Sequence, residues 1–163
     1  EELGLPEAEE IPDAARQDPI FVRSAGADPG RDGCRVPLPW SGTGNAHGFS
    51  PAGAAQPWLP QPDAWAGLTV EAQAAHPDSM LTLYRRALAV RRAEPGLGDG
   101  PMTWRDSADD VLAFTRPGGF TCVVNLSGDA VDLPAHDEIL LASGPLPGGS
   151  LPPDTAVWLR TTA

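Results

Sequence analysis

Gly30-Arg31-Asp32-Gly33-Cys34-Arg35-Val36-Pro37-Leu38-Pro39-Trp40 carries two arginines, an aspartate, two glycines, two prolines and a tryptophan within eleven residues. Proline fixes φ and glycine frees it, so such a segment has a specified backbone without a regular hydrogen-bond ladder. That is the profile of a structured loop, where binding groups tend to sit. Arg31 and Arg35 each present a rigid planar fork of donors suited to a carboxylate or to neighbouring hydroxyls. Trp40 offers either a stacking surface or a core anchor. Taken alone, these residues describe a surface loop holding one Asp–Arg pair.

Working outward, residues 1–60 are dense in Pro, Gly, Asp and Glu and poor in periodic apolar positions. Residues 7–13 read as an acidic, solvated connection between Pro6 and Pro12. So long a stretch without regular structure is unusual in a self-contained domain and suits a loop laid over a larger body. One short helix is expected around Trp65, Leu68 and Val70. Pro77-Asp78-Ser79 then starts a longer one, with Asp78 or Ser79 as N-cap. Met80, Leu83, Tyr84, Ala87 and Leu88 recur at three- and four-residue spacing and form an apolar stripe that needs a partner surface. Arg85, Arg86, Arg91 and Arg92 read as a solvated face favoured by the helix dipole, and Pro95-Gly96 ends the helix.

Beyond Gly96 the pattern turns to short β-type runs separated by turn residues, at 102–104, 111–115, 121–126, 130–133, 138–142 and 156–159. Six such runs predict a small antiparallel sandwich. The expected division is therefore 1–95 and 96–163.

Composition narrows the function. The 163-residue chain has 22 acidic and 11 basic residues, a net charge of −11. Every basic residue is arginine. This balance argues against nucleic-acid binding and against a polybasic membrane surface. Cys34 and Cys122 are isolated and read as free, buried thiols of a reducing, cytoplasmic setting. His47, His76 and His136 show no metal-ligand spacing, so neither metal nor cofactor is expected.

The opening segment resembles the GRDGCRTPMPW motif of the α-glucosidase branch of the α-amylase superfamily, glycoside hydrolase family 13. Val36 stands for the usual Thr and Leu38 for Met. The order of further matches agrees: Glu1-Glu2-Leu3-Gly4-Leu5-Pro6 with the end of YQGEELGLP, Gln17-Asp18-Pro19 with QDP, Asn45-Ala46-His47-Gly48-Phe49 with NAGF, and Tyr84-Arg85-Arg86 within the SxLxxYRxLIxLRR helix. The resemblance implies the C-terminal end of a (β/α)8 barrel (its last long βα loop and terminal helices) followed by a small antiparallel β-sandwich. It implies a retaining α-glucosidase acting on α-glucosides or maltooligosaccharides, partnered by the N-terminal barrel portion. The family's two aspartates and one glutamate lie upstream of the matched segment, so no catalytic residue is assigned here.

What the resemblance carries over is Arg35, at the glucose pocket, pairing with an aspartate of an early barrel loop and reaching sugar hydroxyls. Arg31 is the second substrate-binding candidate. Asp32 and Trp40 are expected to support the loop, with Trp40 and Phe49 alternatively bordering an acceptor site. Two rival functions stay open: a glucosyl-transferring or isomerising relative such as trehalose synthase, and a non-catalytic partner subunit of the same fold.

Overall fold

The Asp18–Pro19 step begins the first helix of the computed structural model, which describes residues 1–162. Helix α1 spans Pro19–Arg23. Proline at the first position suits a helix start because its missing N–H would have had no intrahelical acceptor. Asp18 caps the helix, its Oδ1 accepting from Ile20 N at 2.8 Å. The chain forms two compact units, Glu1–Tyr84 and a second beginning at Arg85.

In the first unit the core is a small cluster of Ala8, Ile11, Leu59 and Trp65, flanked by Leu5, Val36 and Leu68. The acidic segment is thus only half the solvated connection expected of it. Glu7, Glu9, Glu10 and Asp13 are exposed, but Ala8 and Ile11 turn inward and anchor it. The single short helix expected near Trp65 is instead two elements. A 3-10 turn, Asp63–Leu68, is followed by α2, Val70–Ala74. Thr69 breaks them apart with an extended backbone and caps α2, its Oγ1 accepting from Ala72 N at 3.2 Å. A threonine side chain competes with helical hydrogen bonding in this way.

Helix α3 spans Met80–Ala93. Of the two candidate caps, Ser79 takes the role: its Oγ accepts from Thr82 N at 3.2 Å. Buried Gln73 takes the neighbouring helix donor, with Oε1 accepting from Leu81 N at 3.0 Å while Nε2 donates to Leu3 O at 2.7 Å. Leu81 is the buried residue of α3, whereas Met80, Tyr84 and Leu88 of the expected stripe are exposed. Arg85, Arg86, Arg91 and Arg92 are exposed, as the dipole argument expected.

The second unit holds seven antiparallel strands: β1 Thr103–Trp104, β2 Val111–Arg116, β3 Phe120–Asn125, β4 Val131–Asp132, β5 Glu138–Ala142, β6 Ser150–Leu151 and β7 Thr155–Arg160. The main sheet has the order β1-β2-β3-β7-β5, and β4 pairs with β6 in a second, two-stranded sheet. Strand β6 was not expected from the sequence. Alternation sorts the faces, since successive side chains of a strand point oppositely. One face carries Ala113, Val123, Val157 and Leu159, which pack with Leu151 of the small sheet and with Val131 beside it. The other carries Trp104, Phe114 and Trp158 in cross-strand register with Cys122, and fully buried Phe120 beside them. The turn between β2 and β3 needs Gly119, at φ +77°, because a Cβ there would lie 1.9 Å from Thr161 O.

The second unit also encloses a charge. Buried Glu94 pairs with Arg160, whose Nη1 reaches Glu138 Oε2 at 2.9 Å. Burial works against the Glu94 carboxylate, but Arg160 and the N–H of Gly96 outweigh it and hold its pKa below the usual value. No helix is long and apolar enough to cross a membrane among the described residues.

Candidate functional site

The loop around Arg35 is organised by two buried carboxylates. Asp32 opens a 3-10 turn, Asp32–Cys34, and is fully buried. Its Oδ2 accepts from the backbone N–H of Gln17 at 2.8 Å and of Asp18 at 2.9 Å. Its Oδ1 accepts from Arg35 Nη2 at 2.9 Å. Asp18, also buried, caps α1 with Oδ1, while Oδ2 accepts from Arg31 N at 3.0 Å and from Arg35 Nη2 at 2.5 Å. The Arg35 Nε–H donates to Arg31 O at 3.2 Å. Two segments, 17–20 and 31–35, are thereby laced together through carboxylate oxygens, each bond strengthened by charge.

Close approach is built into the sequence. Gly30 adopts φ +67°, and a Cβ there would sit 2.5 Å from the Cβ of Asp18. Gly33 meets the backbone of the 5–11 segment, where a Cβ would lie 2.6 Å from Ala8 O. Any side chain at either position would push the two segments apart.

The surroundings of Asp18 favour its ionised form. The Ile20 and Arg31 N–H groups, aided by the Arg35 guanidinium, hold the Asp18 carboxyl below its ordinary pKa against the opposing effect of desolvation. The Arg35 side chain is 50% exposed. Its Nε and Nη2 are engaged by the loop, and its Nη1 makes no hydrogen bond among the described residues.

The remaining candidates separate clearly. Arg31 contributes its backbone N–H and C=O to the cluster, while its side chain is exposed. Trp40 has an exposed ring, and it is its backbone that ties the loop: its N–H donates to His47 O at 2.8 Å and its C=O accepts from Glu71 N at 3.0 Å. Gln61 Nε2 donates to Pro37 O at 2.9 Å and fixes the chain just after Arg35. Phe49 is exposed. The expectation of two buried thiols fails at Cys34, which is exposed within its turn, and holds at Cys122, whose thiol is pushed up to about 11 by burial. Among the described residues no three His, Cys, Asp or Glu side chains gather as a metal site would require.

Two residues of the loop were not picked out from the sequence as site residues. Asp18 shows an Asp-Pro helix-start signal, but nothing local announces its bond to Arg35, seventeen positions away. Arg16 braces the loop from behind, with Nη1 donating to Pro29 O at 3.0 Å and Nη2 to Glu9 O at 3.2 Å.

Arg35, paired with Asp18 and Asp32, is thus the charged centre of this loop. Residues 1–100 match the family described as alpha amylase, catalytic domain. Over 133 residues the chain is 37% identical to a probable alpha-glucosidase of Rhizobium meliloti (strain 1021), covering 80% of this chain and 23% of that protein. Among solved structures, the alpha-glucosyl transfer enzyme XgtA superposes with a TM-score of 0.75 at 32% identity, over 98% of this chain and 31% of that one. An isomaltulose synthase mutant from Erwinia rhapontici NX5 shares the fold, with a TM-score of 0.77 at 19% identity over 99% of this chain and 34% of that one. The chain belongs to the alpha-amylase family. It spans under a quarter of the length of the curated relatives it matches.

Proposed function

We propose that this chain is the C-terminal part of a retaining α-glucosidase that hydrolyses terminal, non-reducing α-linked glucose from α-glucosides or maltooligosaccharides. Residues 1–95 would supply the last βα loop and terminal helices of a (β/α)8 barrel, and 96–163 the C-terminal β-sandwich. The observation that carries this reading is Arg35, half exposed and fixed through Nη2 by Asp18 and Asp32. Barrel enzymes of this type build their sites from the loops at the C-terminal ends of the strands. In that setting Arg35 closes the glucose pocket, with Arg31 at its margin, and Asp32 and Trp40 hold the loop.

Hydrolysis with retention needs two carboxyl groups about 5–5.5 Å apart, one as nucleophile and one as acid/base. Those groups belong to the upstream barrel in the resembled family, so the residues of this chain bind and orient and do not attack. The exposed Met80, Tyr84 and Leu88 on α3 are the surface on which that barrel portion would rest. The free thiols Cys34 and Cys122 support a cytoplasmic setting.

Replacing Arg35 by Ala in the full-length protein tests the role. Loss of charged hydrogen bonds to the sugar should raise KM for an aryl α-glucoside by about 10–100-fold; unchanged kinetics would remove Arg35 from the pocket. The likeness to a glucosyl transfer enzyme supports a second reading, in which the glucosyl group passes to a sugar acceptor. Product analysis separates them: free glucose marks hydrolysis, and new disaccharide marks transfer.

A further inference from the structure

A guanidinium grips a carboxylate or phosphate through one of two forks, the Nε/Nη2 edge or the Nη1/Nη2 edge. Both forks share Nη2. In this structure the two N–H bonds of Arg35 Nη2 are taken by Asp18 Oδ2 at 2.5 Å and Asp32 Oδ1 at 2.9 Å. The Nε–H is taken by Arg31 O at 3.2 Å. Neither fork remains open to a ligand. What remains is Nη1, whose two donors diverge and suit separate hydroxyl oxygens better than the paired oxygens of one anionic group.

Charge acts in the same direction. One arginine stands against two carboxylates, both buried where water screens them little. Arg31 turns its backbone into this cluster, while its own side chain is exposed.

We infer that Asp18 and Asp32 are specificity residues which, by occupying both forks of Arg35, restrict the site to neutral glucosides and refuse a sugar that presents a phosphate or carboxylate there. The inference rests on the reading that Arg35 faces the sugar. Both aspartates act through Arg35, so they are positioning residues and touch no reacting atom. A loop without these carboxylates would leave an ordinary anion-binding arginine in the same place.

The test uses inorganic phosphate as the probe on the full-length protein. Wild type should bind phosphate weakly by calorimetry and should keep its KM for an aryl α-glucoside when phosphate is added. Asp18→Asn frees one Nη2 donor and removes one negative charge, and should bind phosphate about tenfold more tightly and be inhibited by it competitively. Asp32→Asn should do the same, and it covers the case in which Asp18→Asn, buried against Arg31 N and Arg35, prevents folding. Adding Arg35→Ala to either variant should abolish the gain. A purely structural role would move stability but create no phosphate site. Equal phosphate binding by wild type and both folded variants would overturn the inference. A protein that turns over no glucoside yet shows the gained, Arg35-dependent phosphate binding would remove the α-glucosidase reading and leave the anion exclusion standing.

Discussion

Asp18 and Asp32 are buried acids whose only countercharge among the described residues is Arg35, so the loop is sensitive to whatever removes that balance. For Asp18 the direction with pH can be worked out. Its folded-state pKa lies below the ordinary value because Ile20 N–H, Arg31 N–H and Arg35 all favour the ionised form. A depressed carboxylate contributes stability that is present above the unfolded pKa of about 3.9 and lost as pH falls through the lower folded value. Acid unfolding of the wild type should therefore steepen below about pH 4, and Asp18→Asn should be less stable at neutral pH but lose less on acidification. Chemical denaturation at several pH values checks this, and parallel curves would contradict it. At this scale the sequence was half legible. The Asp32–Arg35 pair is local and was expected, whereas helix α1 and its Asp18 cap were not, since residues 1–60 were read as lacking regular structure. The Asp18–Arg35 bond is not local, since it forms only because Gly30, at φ +67° and lacking a Cβ, lets two distant segments touch.

Asn125 shows how elements rather than single groups depend on such contacts. It ends β3, is fully buried, and donates through Nδ2 to Leu151 O at 2.9 Å and to Asp129 O at 2.8 Å. Its Oδ1 accepts from Ser127 N at 3.0 Å. One side chain thus joins the main sheet to β6 and closes the turn that leads into β4. Asn125→Ala would strip a buried carbonyl and a turn N–H of their partners and should cost about 2 kcal/mol in urea unfolding. A loss within experimental error would mean that the small sheet is not held this way. Strands β2, β3, β5 and β7 were legible because each carries four or more apolar or β-branched residues between turn signals. Strand β6 was not, since Ser150–Leu151 is two residues long and sits among Pro and Gly. Its existence is decided by pairing with Val131 and by the pocket that Leu151 fills, which are tertiary facts. The split of the expected helix at Thr69 has the same origin, because Thr69 is fully buried and Val70 N donates to Pro39 O.

At the largest scale the chain holds the Arg35 loop in one unit and a sheet in the other, and the question is how much chemistry these can do. The chain carries 22 acidic residues, so carboxylates are abundant. Abundance is not a catalytic pair, since retention needs one acid to stay protonated while its neighbour attacks, at a separation of about 5–5.5 Å. The two closest acids of the loop, Asp18 and Asp32, already accept hydrogen bonds from four backbone N–H groups in all and from Arg35. Carboxylates whose oxygens are committed to backbone N–H groups and an arginine suit neither a nucleophile aimed at a sugar nor a proton donor. The 163-residue chain by itself should therefore show no turnover of an aryl α-glucoside above buffer, even where circular dichroism finds it folded. Supplying the remaining barrel polypeptide in trans should restore activity only if the two associate, and Arg35→Ala in the chain should then weaken substrate binding in the restored enzyme. Turnover by the pure chain would place a catalytic pair within these residues and overturn the proposed division of labour, in which this chain binds and another portion attacks.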